Sequence, residues 1–184
     1  MGETGGMSQP EDDAQHPEPL TPEEEERAAE LQRFWEVARS RAGLGRLSAV
    51  VGTGVLATVP PPVGRLAAEP ALADERLARV LDGTVTAVSA PLEELERAGA
   101  DLPQADDLWI ATDGAGRPRA LLRTTGVEVV RLADVDADHV RAEAGHDDVA
   151  AWRRETDGAL RTALGTEPDD TTPLLVERFV VVFP

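Results

Sequence analysis

The sequence predicts an α+β domain: a small β-barrel of about five strands with flanking helices. Three observations carry that expectation. Apolar spacing alternates along the chain between helical three-and-four steps and short β-branched runs. Two strand-like runs, 108–112 and 119–125, flank Asp113-Gly114-Ala115-Gly116, which is hairpin chemistry. The chain has 184 residues, of which 41% are hydrophobic, a length that suits one domain with a tail.

The elements follow in order. Residues 1–20 read as a disordered acidic tail, rich in Gly, Pro, Gln and Glu and with too little apolar surface to offset chain entropy. The domain then occupies 21–184. Thr21-Pro22-Glu23-Glu24 is a capping box with proline in the first turn, and Leu31, Phe34, Trp35 and Ala38 recur at helical spacing, so 21–43 is a helix. Residues 44–70 read as a linker wrapping the domain. Within it, Gly52-Thr53-Gly54-Val55-Leu56-Ala57 mimics a dinucleotide fingerprint, but Pro60-Pro61-Pro62 arrives where the helix of that motif would run, so a glycine-rich turn is the reading taken. Leu72, Ala73, Leu77, Val80 and Leu81 define a short amphipathic helix over 71–81. A β-branched strand follows at 84–90, stopped by Pro91, and then a helical turn at 92–98. After the hairpin, strand continues over 127–132, helices cover 135–144 and 148–164, and 174–183 forms the terminal strand.

Composition narrows the chemistry. There is no cysteine, which excludes disulfides, thiolate catalysis and cysteine-ligated metal sites. All 18 basic residues are arginine, so Schiff-base chemistry and the lysine-bearing phosphate loop are excluded too. Of the net charge of −17, nine acidic residues stand before residue 27 with no basic one among them, leaving 26 acids against 18 arginines, a net −8, for 27–184. That balance disfavours duplex DNA. The acidic start lacks an apolar run and no stretch is long enough to span a bilayer, so the expected setting is cytoplasmic, away from membranes. Neither a cofactor nor a metal is indicated.

The order of motifs resembles the ASCH domain, a family of the PUA-like superfamily, in its bacterial branch with an aromatic N-terminal helix. The resemblance runs from Phe34-Trp35 to Phe183. It is carried by Pro70-Ala71-Leu72-Ala73-Asp74-Glu75 leading to Gly83-Thr84, and by Asp107-Leu108-Trp109-Ile110 through Asp113-Gly114 to Arg123-Thr124-Thr125. Asp134-Val135-Asp136, Ala142-Glu143 and Trp152-Arg153 extend it, and Glu177-Arg178-Phe179 closes it. The resemblance implies a PUA-like barrel with a cleft that binds RNA or nucleotides, some relatives being hydrolases of a modified nucleoside or ribonucleases. In those relatives the signature strand reads Gly-Thr-Lys-Thr-Ala-Thr and works with an acidic Glu-Gly-Glu-Gly-Asp insertion.

This chain departs at those points. Val85 and Val88 stand for the lysine and the last threonine, and Gly145 stands for the second glutamate. Valine neither exchanges a proton nor attacks as a nucleophile. The usual Trp-x-Phe-Gly is Gly64-Arg65-Leu66-Ala67, which removes two rings able to stack on a base. The expected ligand-binding residues are Thr86, Arg123 (one strand from Thr86, able to pair an anion), Glu143 and Asp147, with none catalytic. His139, Glu143 and Asp147 share a helical face only if the helix runs through Gly145, so a solvated polar face is expected there. Trp109 and Trp152 read as packing residues. Arg153-Arg154 with Arg161 is too sparse a basic stripe beside Glu155 and Asp157. The leading expectation is a catalytically inactive module binding single-stranded RNA, a nucleotide or a nucleoside. The alternatives are a hydrolase rebuilt around Glu143, His146 or Asp147, and a protein–protein interaction module.

Overall fold

The computed structural model describes residues 21–44, 59–99 and 101–184. The tail at 1–20 and the glycine-rich 52–57 lie outside these residues. The first helix, α1 (Pro22–Arg41), starts as its capping box requires: Thr21 Oγ1 accepts from Glu24 N–H at 3.3 Å, and Glu24 accepts from Thr21 N–H at 2.8 Å. Next come β1 (Val63–Arg65), α2 (Pro70–Leu81), β2 (Ala87–Pro91) and α3 (Leu92–Ala98). The hairpin is β3 (Leu108–Thr112) with β4 (Pro118–Arg131). Helices α4 (Ala137–Ala144) and α5 (Val149–Leu164) precede β5 (Pro173–Phe183).

The five strands form one mixed sheet in the order β1-β3-β4-β5-β2. β1 runs parallel to β3, and the other neighbours are antiparallel. The α+β class is therefore as expected. Among the described residues no pairing closes the sheet into a barrel: β1 and β2 are the two ends of the strand order. A three-residue strand at 63–65 stands where the sequence suggested only a wrapping linker, because Val-Gly-Arg is too short to show a period of two. β4 is one strand through Gly126, with a register shift between Thr124 and Gly126. The strand expected at 84–90 begins only at Ala87. Ahead of it, Val85 N–H donates to Arg79 O at 3.0 Å and Thr86 N–H to Ala142 O at 2.7 Å, so this stretch bridges two helices before it joins the ladder.

Three apolar clusters hold the layers. Trp35 and Ala38 of α1 pack on Ile110 and Leu121 of the hairpin. Leu77 and Val80 of α2 pack with Leu66, Val85, Ala111, Ala120, Leu122 and Phe179. Trp152 and Leu160 of α5 pack with Val140, Leu132, Val135 and Leu174. Buried apolar surface contributes roughly 25 cal/mol per Å², so these clusters fix the two sheet edges relative to each other.

Candidate functional site

The two edge strands border one cleft of about 560 Å³, walled by Val63 and Gly64 from β1 and by Val88, Ser89 and Ala90 from β2. Its floor comes from the strands between them, with Trp109, Thr124 and Glu177 on three separate strands. Strand alternation explains the set. Trp109 stands opposite Leu122, Thr124 opposite Phe179, and Glu177 opposite Val88, so all of these side chains share one sheet face.

Glu177 is the centre of the floor. Its Oε1 accepts from Trp109 Nε1 at 2.9 Å and from Thr124 Oγ1 at 2.5 Å. Its Oε2 takes no hydrogen bond from the described residues. Trp109 is further braced edge-on by Phe179, with ring centroids 5.7 Å apart. Asp101 and Asp107 also line the cleft, and no arginine or histidine does among the described residues. Asp106, at the rim, holds φ +73°, while Asp107 O accepts from Thr124 N–H at 2.9 Å and pins that loop to β4.

The edge of β2 adds main-chain groups. Phe179 N–H donates to Thr86 O at 2.9 Å, which sets the phase of the ladder. Val88 and Ala90 then exchange bonds with Glu177 and Leu175, and Ser89 turns its N–H and C=O to the free edge.

Behind β2 lies a buried polar cluster. Glu143 Oε2 accepts from Ser89 Oγ at 2.8 Å and lies 2.8 Å from His139 Nε2. Both α4 residues are buried, His139 at 5% and Glu143 at 4% exposure, so the expected solvated face is corrected: α4 turns its polar pair inward against β2. The His139 ring meets Trp152 edge-on at 5.8 Å. Asp136 caps α4 by accepting from His139 N–H at 2.8 Å, and that bond holds its carboxyl below the usual aspartate range.

The four residues expected to bind ligand do not converge. Thr86 is exposed, and its main chain is spent on Ala142 and Phe179. Arg123 is exposed on the sheet face opposite Thr124, and β5 lies between its strand and β2. Asp147 is exposed beyond the end of α4, 3.6 Å from Arg141 Nη2. Only Glu143 is drawn into a cluster, with His139 and Ser89. The α4 helix stops at Gly145, whose φ of +73° separates Asp147 from His139 and Glu143. Val85 is core, at 3% exposure, and Val88 presents its methyls to the cleft. Trp152 is core as expected, whereas Trp109 combines packing with a place in the cleft wall. Sequence reasoning did not single out Glu177 as a site residue, although a glutamate inside the apolar run Leu174-Leu175-Val176-Glu177-Arg178-Phe179 was the available signal.

A mixed five-stranded sheet with a cleft between its edge strands and helices packed on it is consistent with the PUA-like arrangement. The ASCH domain family model matches residues 65–183, and the chain belongs to that family. Among solved structures it is similar to the ASCH domain from Lactobacillus crispatus JV V101, with 20% identity and a TM-score of 0.63, over 79% of this chain and 96% of that one. It is also similar to protein EF3133 from Enterococcus faecalis V583, of the family model DUF984, with 20% identity and a TM-score of 0.67, over 85% and 90% of the two chains. These likenesses speak for the fold. No curated protein matches. Among the described residues, no helix is long and apolar enough to cross a membrane, and no group of three or more His, Asp or Glu is placed to hold a metal.

Proposed function

We propose that this ASCH domain binds a small, uncharged, nucleoside-like molecule in the cleft between β1 and β2, and does not perform the hydrolysis that some relatives carry out. The observation that carries this reading is the make-up of the wall: among the described residues, Trp109 and apolar side chains stand beside three carboxylates, without a cation. Phosphate recognition calls on arginine, lysine or a helix N-terminus. A phosphate brought here would instead meet Asp101, Asp107 and Glu177. An aromatic heterocycle suits the same wall, through contact with Trp109 and polar groups that fix its orientation. Catalytic silence follows from Val85 and Val88, one closed into the core and the other offering only methyl groups.

The test is calorimetric titration of the full chain with nucleosides and their 5′-monophosphates. A nucleoside should bind at least about tenfold more tightly than its monophosphate, as expected when an anion meets like charge. Tighter binding of the monophosphates would overturn the reading.

A further inference from the structure

We infer that Glu177 is the specificity-determining residue of the cleft, and that it selects ligands carrying an exocyclic amino group over their oxo counterparts. The inference rests on the binding reading above and deepens it. One carboxylate oxygen, Oε1, is committed to Trp109 Nε1 and Thr124 Oγ1, and those two bonds fix the plane of the group. The other, Oε2, has no partner among the described residues, and the residue is a cleft wall. A carboxylate oxygen only accepts, so what it meets has to donate. An exocyclic amino group supplies two donor hydrogens. An oxo analogue turns a carbonyl oxygen, which a carboxylate repels, to that position, and its ring N–H lies beside two such oxygens in uridine and one in inosine.

Two further features support the assignment. Trp109 and Thr124 reach Glu177 from two other strands, so three strands converge to aim one carboxylate in a half-buried place. Such an arrangement preorganises the group before a ligand arrives. Beside Val88, the cross-strand partner of Glu177, Ser89 presents its own N–H and C=O along the free edge, a donor for a ring nitrogen that neighbours the amino group.

Glu177→Gln makes the test sharp. The glutamine carbonyl still accepts from Trp109 and Thr124, while its NH₂ takes the place of Oε2 and turns an acceptor into a donor. Wild type and E177Q are titrated with the matched pairs cytidine and uridine, adenosine and inosine. Trp109 is the reporter, since Trp35 and Trp152 are buried in cores away from the cleft. Wild type should favour the amino member by about tenfold or more, the ratio that one charge-assisted hydrogen bond supports. E177Q should lose or reverse that preference while its melting temperature stays close to wild type. Equal affinity of the wild type for both members of each pair overturns the inference and leaves the binding reading standing. An E177Q chain that keeps the wild-type preference overturns it equally. A wild type that binds none of the four nucleosides sinks the binding reading, and this assignment with it.

Discussion

Glu143 shows how a residue picked out for function can belong to the frame. Its Oε2 is shared by His139 and Ser89, and the cluster joins α4 to β2 on the sheet face opposite Val88. Removing that carboxylate leaves a buried imidazole and a hydroxyl without a partner. Glu143→Ala should therefore cost about 3 kcal/mol, and Ser89→Ala about 1 kcal/mol, by urea unfolding. A Glu143→Ala midpoint equal to wild type would refute the structural role. Thr86→Ala and Asp147→Ala, both exposed, should stay within about 0.5 kcal/mol. The four-residue step from His139 to Glu143 was legible in the sequence. The direction of that face was not, because α4 is too short for its apolar pattern to decide, and only β2 and α5 packed against it make the inside. Val85 teaches the complementary lesson. Reading it in the place of the family's lysine was possible from sequence, but its neighbours Leu77, Val80 and Phe179 were not. Val85→Lys would put an ammonium among them and should destabilise by several kcal/mol, at least about 2, without creating hydrolysis. Unfolding curves and a nucleoside-release assay on the same variant check both halves.

At the scale of elements, ends were read well where capping chemistry is local. Thr21 ahead of α1 and Asp148 ahead of α5 each accept from a main-chain N–H three residues on, whereas α4, expected from residue 135, begins two residues later behind its cap Asp136. Strand limits were read less well, since Val85 and Thr86 have strand-like composition but bond to helices α2 and α4. β1 was missed because its pairing with β3 is non-local and parallel. The end of α4 carries a prediction. Gly145 has φ +73°, and a Cβ there would stand 2.7 Å from Thr84 Cγ2. Gly145→Ala combines left-handed strain with that contact and should cost about 2 kcal/mol, read from the shift in urea midpoint. The start of α4 carries another. The Asp136 carboxyl is held below its ordinary value of 3.8, chiefly by the bond from His139 N–H. The unfolded chain then binds the proton more readily, so this contribution is complete above the unfolded value and is lost as pH falls through the lower folded one. The melting temperature of Asp136→Ala should lie below wild type by a constant gap at neutral pH, and the gap should narrow in acid below about pH 4. A gap independent of pH would mean that the charge on Asp136 contributes nothing.

For the whole molecule, the deciding property is where charge sits relative to the sheet. Nine acidic residues precede residue 27, at one end of the sequence, and the net −17 says little about the cleft. The cleft wall itself is acidic. Arginines elsewhere are largely engaged: Arg79 with Glu75, Arg97 with Glu93, Arg131 with Asp134, Arg141 with Asp138, and Arg161 with Asp157. Individually such surface pairs add little stability. Each sets a carboxylate beside its guanidinium, and Arg123 stands on the sheet face away from the cleft. A ligand bound by aromatic contact and hydrogen bonds should then show an affinity that hardly changes between 50 and 500 mM salt. Phosphate-driven binding of a single strand falls with salt, with a log–log slope of about −0.7 for each phosphate neutralised. Titrating one nucleoside and one unstructured RNA oligonucleotide across that range separates the two mechanisms on the same protein. The nucleoside curve should be flat, and the oligonucleotide should bind weakly at every salt concentration, with Arg123→Ala changing the nucleoside affinity by less than about twofold. Tight RNA binding with a steep slope, lost in Arg123→Ala, would move the binding surface from the cleft to the opposite face of the sheet.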